Sequence, residues 1–197
     1  MTKKKTGKMT VVLILTGALL ILSALALAVI NISLEKNAQK NAAEIADRIG
    51  ALIPEVRNAQ SDDREDTRMA SVSIDGQDFC AMIEVPRFGT RLPVYSEWDS
   101  SRVRMYPCRY SGSVYDGTLI IGGSDARGQL DFVSSITEHD TVLLTDMEGS
   151  CYLYEVDRID VAESADTATL ADGSFGLVLF ARNTYSSGYT VIRCSKG

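Results

Sequence analysis

The chain has 197 residues, a formal net charge of −6, 45% hydrophobic residues, four cysteines and one histidine. That length allows one good core plus a tail, not two large domains. The acidic balance argues against a nucleic-acid surface and against docking on anionic lipid. One histidine, with no cysteine pair at metal-ligand spacing, offers no metal site, and no Gly-rich phosphate loop is present.

The apolar residues are unevenly spread. Residues 9–34 carry no charge, and MTVVLILTGALLILSALALAVI over 9–30 is almost wholly apolar. At ~1.5 Å per residue that run spans a bilayer core of roughly 30 Å. Lys3, Lys4, Lys5 and Lys8 precede it and the chain beyond is acidic. The positive-inside rule therefore makes 1–8 a cytoplasmic tail, 9–30 a transmembrane segment, and everything beyond about residue 31 extracytoplasmic. A cleaved signal peptide is the competing reading, since Ala24-Leu25-Ala26-Leu27-Ala28 contains A-x-A patterns. The pattern lies inside the apolar run, and the run exceeds the usual ~7–15-residue h-region, so the reading is an uncleaved signal anchor. Without its four N-terminal lysines the chain holds 16 basic against 26 acidic residues, a net of −10.

All four cysteines, Cys80, Cys108, Cys151 and Cys194, follow the apolar run. An oxidising compartment is compatible with one disulfide, Cys108 with Cys194, and equally with four buried free thiols.

Ala38, Ala42, Ile45, Ile49 and Leu52 recur at spacings of four and three, one face of a helix that Pro54 ends or kinks. The face is narrow and alanine-rich, which predicts a stalk over 31–57. NAQSDDREDTR (58–68) is polar and predicts a linker over 58–70. From residue 71 the period changes. SVSI, FCAMIEV and RLPVY read as short strands parted by Asp-Gly and Phe-Gly turns, and TLIIGG (118–123) as an interior strand. QLDFVSSI (129–136) suggests one helical turn. TVLLTDMEGSCYLYEVDRIDV (141–161) reads as a hairpin around Met147-Glu148-Gly149, and LVLFA and YTVIRC close the domain. Six to eight short strands with few helices predict a mostly β fold, a small closed or nearly closed β-barrel over 71–197.

The ordered set IEVPRFGTRLPVYSEWDSS, PCRYSGS, TLIIGGSD, TDMEG, LVLFA and YTVIRC, behind an anchor and a stalk, resembles the sortases. These are cysteine transpeptidases that fix surface proteins to the Gram-positive cell wall or join pilins. The resemblance covers about residues 71–197. It implies a histidine after an apolar strand in a pattern like I-A-G-H-N, a nucleophilic cysteine ending a strand in T-L-x-T-C, and an arginine beginning the next strand. The cysteine attacks an LPxTG-like sorting signal and the acyl-enzyme passes to an amine. Carried over, Ser124 stands in Ile121-Gly122-Gly123-Ser124-Asp125 where the histidine belongs. Arg182 ends Val178-Leu179-Phe180-Ala181-Arg182 where the cysteine belongs. Tyr189 opens the last strand where the arginine belongs.

No replacement set is evident. Cys194 lies about five residues beyond the start of its strand, well over ~10 Å along it. His139 sits in the EHDTV turn, a solvent-facing place. The resemblance thus implies a membrane-anchored pseudo-sortase without cofactor or metal. Its binding positions are Asp125, Arg182 and Tyr189, and its partners a sorting-signal peptide, a pilin or an active sortase. Two alternatives stand beside it: an active sortase with an atypical site, and a structural cell-envelope module. For Arg182 there are also two readings, drift after loss of activity, or an ion pair with Asp125.

Overall fold

In the computed structural model, which describes residues 3–58, 66–171, 175–184 and 186–197, the chain begins with one helix, α1 (Lys3–Leu52). The chain divides into two units, residues 1–37 and 38–197. In the first, Met9–Ser33 form an apolar helical stretch long enough to cross a membrane, which fits an anchor or a signal sequence.

The second unit starts with the end of α1. Ala42, Ile45, Ala46 and Ile49 are buried against Ile74, Phe79, Met82, Tyr106 and Met147. Within the stalk expected over 31–57, the helix thus packs on the barrel over 42–49. A stripe at spacings of three and four is enough to pack on one sheet face, and this one does. The helix stops at Leu52, two residues before Pro54, where the proline ring would clash with the preceding turn. The segment expected as a linker, 58–70, is tied to the fold at both ends. Asn58 belongs to a short strand, β1 (Arg57–Asn58), and Met69 is 9% exposed within the main core. Residues 59–65 of that linker lie outside the described residues.

The strands follow as β2 (Val72–Ile74), β3 (Gln77–Val85), β4 (Thr90–Tyr95), β5 (Cys108–Ser111), β6 (Leu119–Ser124), β7 (Thr141–Asp146) and β8 (Ser150–Ala162). A one-turn helix, α2 (Thr167–Leu170), precedes β9 (Leu177–Arg182) and β10 (Tyr189–Lys196). Pairing runs β8-β10-β9-β6-β5-β4-β3, and β7 pairs with both β3 and β8, so eight strands close into a barrel. The β4–β5 and β6–β9 contacts are parallel. The short β1 and β2 extend the sheet outside the ring. The 129–136 segment holds a 3-10 turn at Asp131–Ser134.

Local chemistry sets the turns. Asp75 and Gly76 both have positive φ, 52° and 73°, the pair that a two-residue hairpin between β2 and β3 requires. Between β7 and β8, the Asp146 carboxylate accepts from the amides of Glu148 (2.9 Å) and Ser150 (2.8 Å). The strand β8 alternates, with Tyr152, Tyr154 and Val156 buried and Leu153 and Glu155 exposed.

Strand β9 breaks that rule because both its faces are covered. Leu177, Leu179 and Ala181 fill the barrel interior. Val178 and Phe180 lie on the outer face with Ile120, Val191 and Leu170. Of the two cysteine readings, the Cys108–Cys194 disulfide is not formed; all four cysteines are free, three of them buried. β6 and β9 separate the strands that carry the two sulfurs, while a disulfide needs Cα atoms about 4.4–6.8 Å apart.

Candidate functional site

The parallel register of β6 on β9 pairs Ser124 with Arg182, and the antiparallel register of β9 on β10 pairs Arg182 with Tyr189. The three positions singled out in the sequence thus form one row across three neighbouring strands. Side-chain alternation decides which face they share. Ile120 and Phe180 lie on the outer face, as does Tyr189, whose ring centroid is 6.0 Å from that of Phe180. Ser124, four residues beyond Ile120, and Arg182, two beyond Phe180, return to that face. The row ends the strands, so Arg182 is exposed although the five preceding residues of β9 are buried.

Below the row lies an aromatic cluster. Phe180, 1% exposed, meets Trp98 at 5.6 Å and Tyr110 at 5.4 Å between centroids, and Trp98 meets Tyr110 at 5.1 Å. Gly122 makes the stack possible. A Cβ there would come within 2.7 Å of Trp98 Cζ3 and 2.6 Å of Phe180 Cε1. Trp98 is carried by the β4–β5 connection, which Arg109 holds through Ser96 O (2.8 Å) and Gly112 O (3.1 Å). On the other side α2 covers the face with Leu170, which is fully buried. Arg193 on β10 holds that wall. Its guanidinium donates to Leu170 O and Thr169 O, both at 2.8 Å, and to Asp160 Oδ2 at 3.0 Å. Asp166 caps the turn by accepting from Thr169 N at 2.8 Å. Trp98, Tyr110, Arg109 and Arg193 were not singled out in the sequence. The one available signal was Gly122, a residue with no side chain inside a buried strand, which marks a close approach.

Asp125 does not pair with Arg182. Its carboxylate accepts from Thr184 N (2.9 and 3.0 Å) and from Thr184 Oγ1, and so ties down the β9–β10 connection. Its backbone amide donates to Arg182 O at 3.3 Å. No ion pair joins Asp125 to Arg182, and the Asp125 carboxylate is engaged by the amide and hydroxyl of Thr184 instead. Among the described residues Arg182 has neither an ion pair nor a hydrogen bond through its side chain. Ser124 Oγ accepts from Ala126 N at 3.2 Å, which leaves its own proton to donate.

The thiols lie elsewhere. Cys194 faces the barrel interior with Ile192 and Leu179. Burial pushes Cys194 and Cys80 up to about 12 and Cys108 up to about 11, so all three stay protonated at neutral pH. His139 donates its backbone N–H to Val156 O, whereas Tyr189 pairs with Ala162, six residues further along β8. That separation is roughly 20 Å along the strand. The exposed His139 ring is hydrogen-bonded instead to Glu155 Oε1 at 2.5 Å, which raises its pKa.

The barrel is similar to solved sortases. Sortase A from Corynebacterium diphtheriae matches with 20% identity, over 84% of this chain and 85% of that one, at a TM-score of 0.54. A Clostridium perfringens sortase D5 transpeptidase matches with 13% identity, over 84% of this chain and 99% of its own, at 0.52. Listeria monocytogenes sortase A matches with 15% identity, over 60% and 87%, also at 0.52. No family model and no curated protein matches the sequence. At these identities the likeness is one of fold: a closed, eight-stranded sortase-type barrel behind an N-terminal apolar helix.

Proposed function

We propose that this chain is a membrane-tethered pseudo-sortase, a sortase-family domain that binds a sorting-signal peptide, a pilin or an active sortase without making or breaking a peptide bond. The N-terminal helix serves as an uncleaved signal anchor, with its lysine tail in the cytoplasm and the barrel outside. The observation that carries the reading is the Ser124–Arg182–Tyr189 row. Three neighbouring strands bring these positions together on one accessible face. At its centre stands a permanently charged guanidinium, which cannot attack a carbonyl. The buried, protonated thiol of Cys194 supports the same reading against a displaced nucleophile, because a thiol in the core meets no substrate.

One observation favours a second reading, a structural cell-envelope module. The outer side of Phe180 is already covered by Trp98, Tyr110 and Tyr189. A peptide must settle around these rings or displace one.

The test uses the full-length chain in dodecylmaltoside micelles and a fluorescently labelled Leu-Pro-Glu-Thr-Gly peptide. Anisotropy follows binding and chromatography follows cleavage. Saturable binding with the peptide intact is expected. Cleavage would overturn the non-catalytic reading, and absence of binding would leave the structural module.

A further inference from the structure

The row offers hydrogen-bond donors and carries no carboxylate. Arg182 brings a planar fork of N–H groups, Ser124 a free hydroxyl proton and Tyr189 a phenol. They stand on adjacent strands, so their backbones are about 5 Å apart. The carboxylate that follows Ser124, Asp125, is held by Thr184 and does not compensate the guanidinium. Six of the twelve described arginines are paired with a carboxylate and Arg182 is not one of them. Arg48, Arg87, Arg91, Arg102, Arg158 and Arg193 each face a carboxylate at 3.7 Å or less. An exposed guanidinium left unpaired in so acidic a chain is suited to an anion from outside.

The surroundings narrow that anion. One step of the side-chain alternation below the row, roughly 7 Å along the strands, lie Trp98, Tyr110 and Phe180. Trp98 is 41% exposed, so part of this apolar surface faces solvent. Above the row the β9–β10 connection closes the end of the strands. Asn183 N donates to Gly188 O (3.1 Å), Thr190 Oγ1 donates to Asn183 Oδ1 (2.9 Å), and Thr184 is bound to Asp125. A chain lying along the face has aromatic surface on one side of Arg182 and a pinned loop on the other. It ends at Arg182.

We infer that the Ser124–Arg182–Tyr189 row binds the free α-carboxylate of a peptide whose last residues pack on the Trp98–Phe180 cluster. This rests on the peptide-binding reading above and sharpens it. The preferred ligand is a chain that has already been cut, with a free acid at its end, and an uncut signal running on past that point is disfavoured. Such a site recognises released or trimmed ends and leaves intact signals to other proteins.

The sole tryptophan, Trp98, reports on the site directly. The full-length chain in dodecylmaltoside is titrated with acetyl-Leu-Pro-Glu-Thr as free acid, with its C-terminal amide, and with acetyl-Leu-Pro-Glu-Thr-Gly amide. Trp98 emission and calorimetry follow binding. The free acid is expected to bind at least about tenfold more tightly than either amide, the scale of a charge-assisted contact. That preference disappears in Arg182→Met and is reduced in Arg182→Lys, which keeps the charge and loses the fork. Equal binding of acid and amides overturns the carboxylate inference and leaves the peptide-binding reading standing. Failure of all three peptides to bind removes both. A preference that survives in Arg182→Met assigns the carboxylate to another group and also overturns the inference.

Discussion

Gly122→Ala should push Trp98 off the barrel. The added Cβ would lie 2.6 Å from Phe180 Cε1 and 2.7 Å from Trp98 Cζ3. Carbon atoms pack best at about 3.5–4.0 Å, so each ring must yield by roughly 1 Å. Phe180, which meets the Cβ most closely, can move only by pushing on Trp98, Tyr110 or Tyr189, because it is 1% exposed and wedged among them. Trp98 can yield, because it is 41% exposed and sits on a connecting loop. Overpacking costs about 1–3 kcal/mol, and loss of the ring contact adds about 0.5–1.5 kcal/mol. Replacing a strand glycine returns about 0.5–1 kcal/mol. The net is a destabilisation of about 1–3 kcal/mol, or a fall in Tm of roughly 2–10 °C for a chain of this size. Thermal unfolding by circular dichroism and the Trp98 emission maximum measure the two effects in one sample. A red-shifted emission with a lowered Tm is expected. An unchanged emission maximum together with an unchanged or raised Tm would refute the packing described for the outer face.

Three further outcomes follow from the same contacts. Arg193→Met should cost about 3–5 kcal/mol, because a buried cation and three hydrogen bonds are lost and the α2 wall is released; a Tm change under about 2 °C would mean that Arg193 does not hold that wall. Arg182→Met should change stability by no more than about 0.5 kcal/mol, since its exposed side chain has no partner among the described residues; a larger loss in thermal unfolding would restore an ion pair at the site. His139 titrates above the ordinary imidazole value of about 6.5 because Glu155 accepts its hydrogen bond and attracts the imidazolium. The stability from that contact is present below pH 6.5 and fades as the pH rises through the folded-state pKa. The His139 ring resonance in NMR should therefore titrate above 6.5, and a midpoint at or below that value would exclude the contact in solution.

Much of the architecture could be read from local pattern. The uncharged run at 9–34 reads as a membrane-length helix because length and charge alone decide it. The barrel strands show as alternation, as in Tyr152-Leu153-Tyr154-Glu155-Val156, because one covered face imposes period two. Asp75-Gly76 and Met147-Glu148-Gly149 mark turns because positive φ is a property of single residues. The resemblance to the sortases singled out Ser124, Arg182 and Tyr189, and the strand registers bring those positions into a single row. What sequence could not decide were relations between distant side chains. The choice between Thr184 and Arg182 as the partner of Asp125 depends on the path of the β9–β10 connection. The docking of Ala42, Ile45, Ala46 and Ile49 onto the barrel needs a partner surface assembled from β2, β3 and two loops. The aromatic stack on Gly122 joins residues 98, 110, 122 and 180, which no local period connects. Local spacing specifies which face a residue occupies; only closure of the barrel specifies what it meets there, because those neighbours come from strands far apart in the chain.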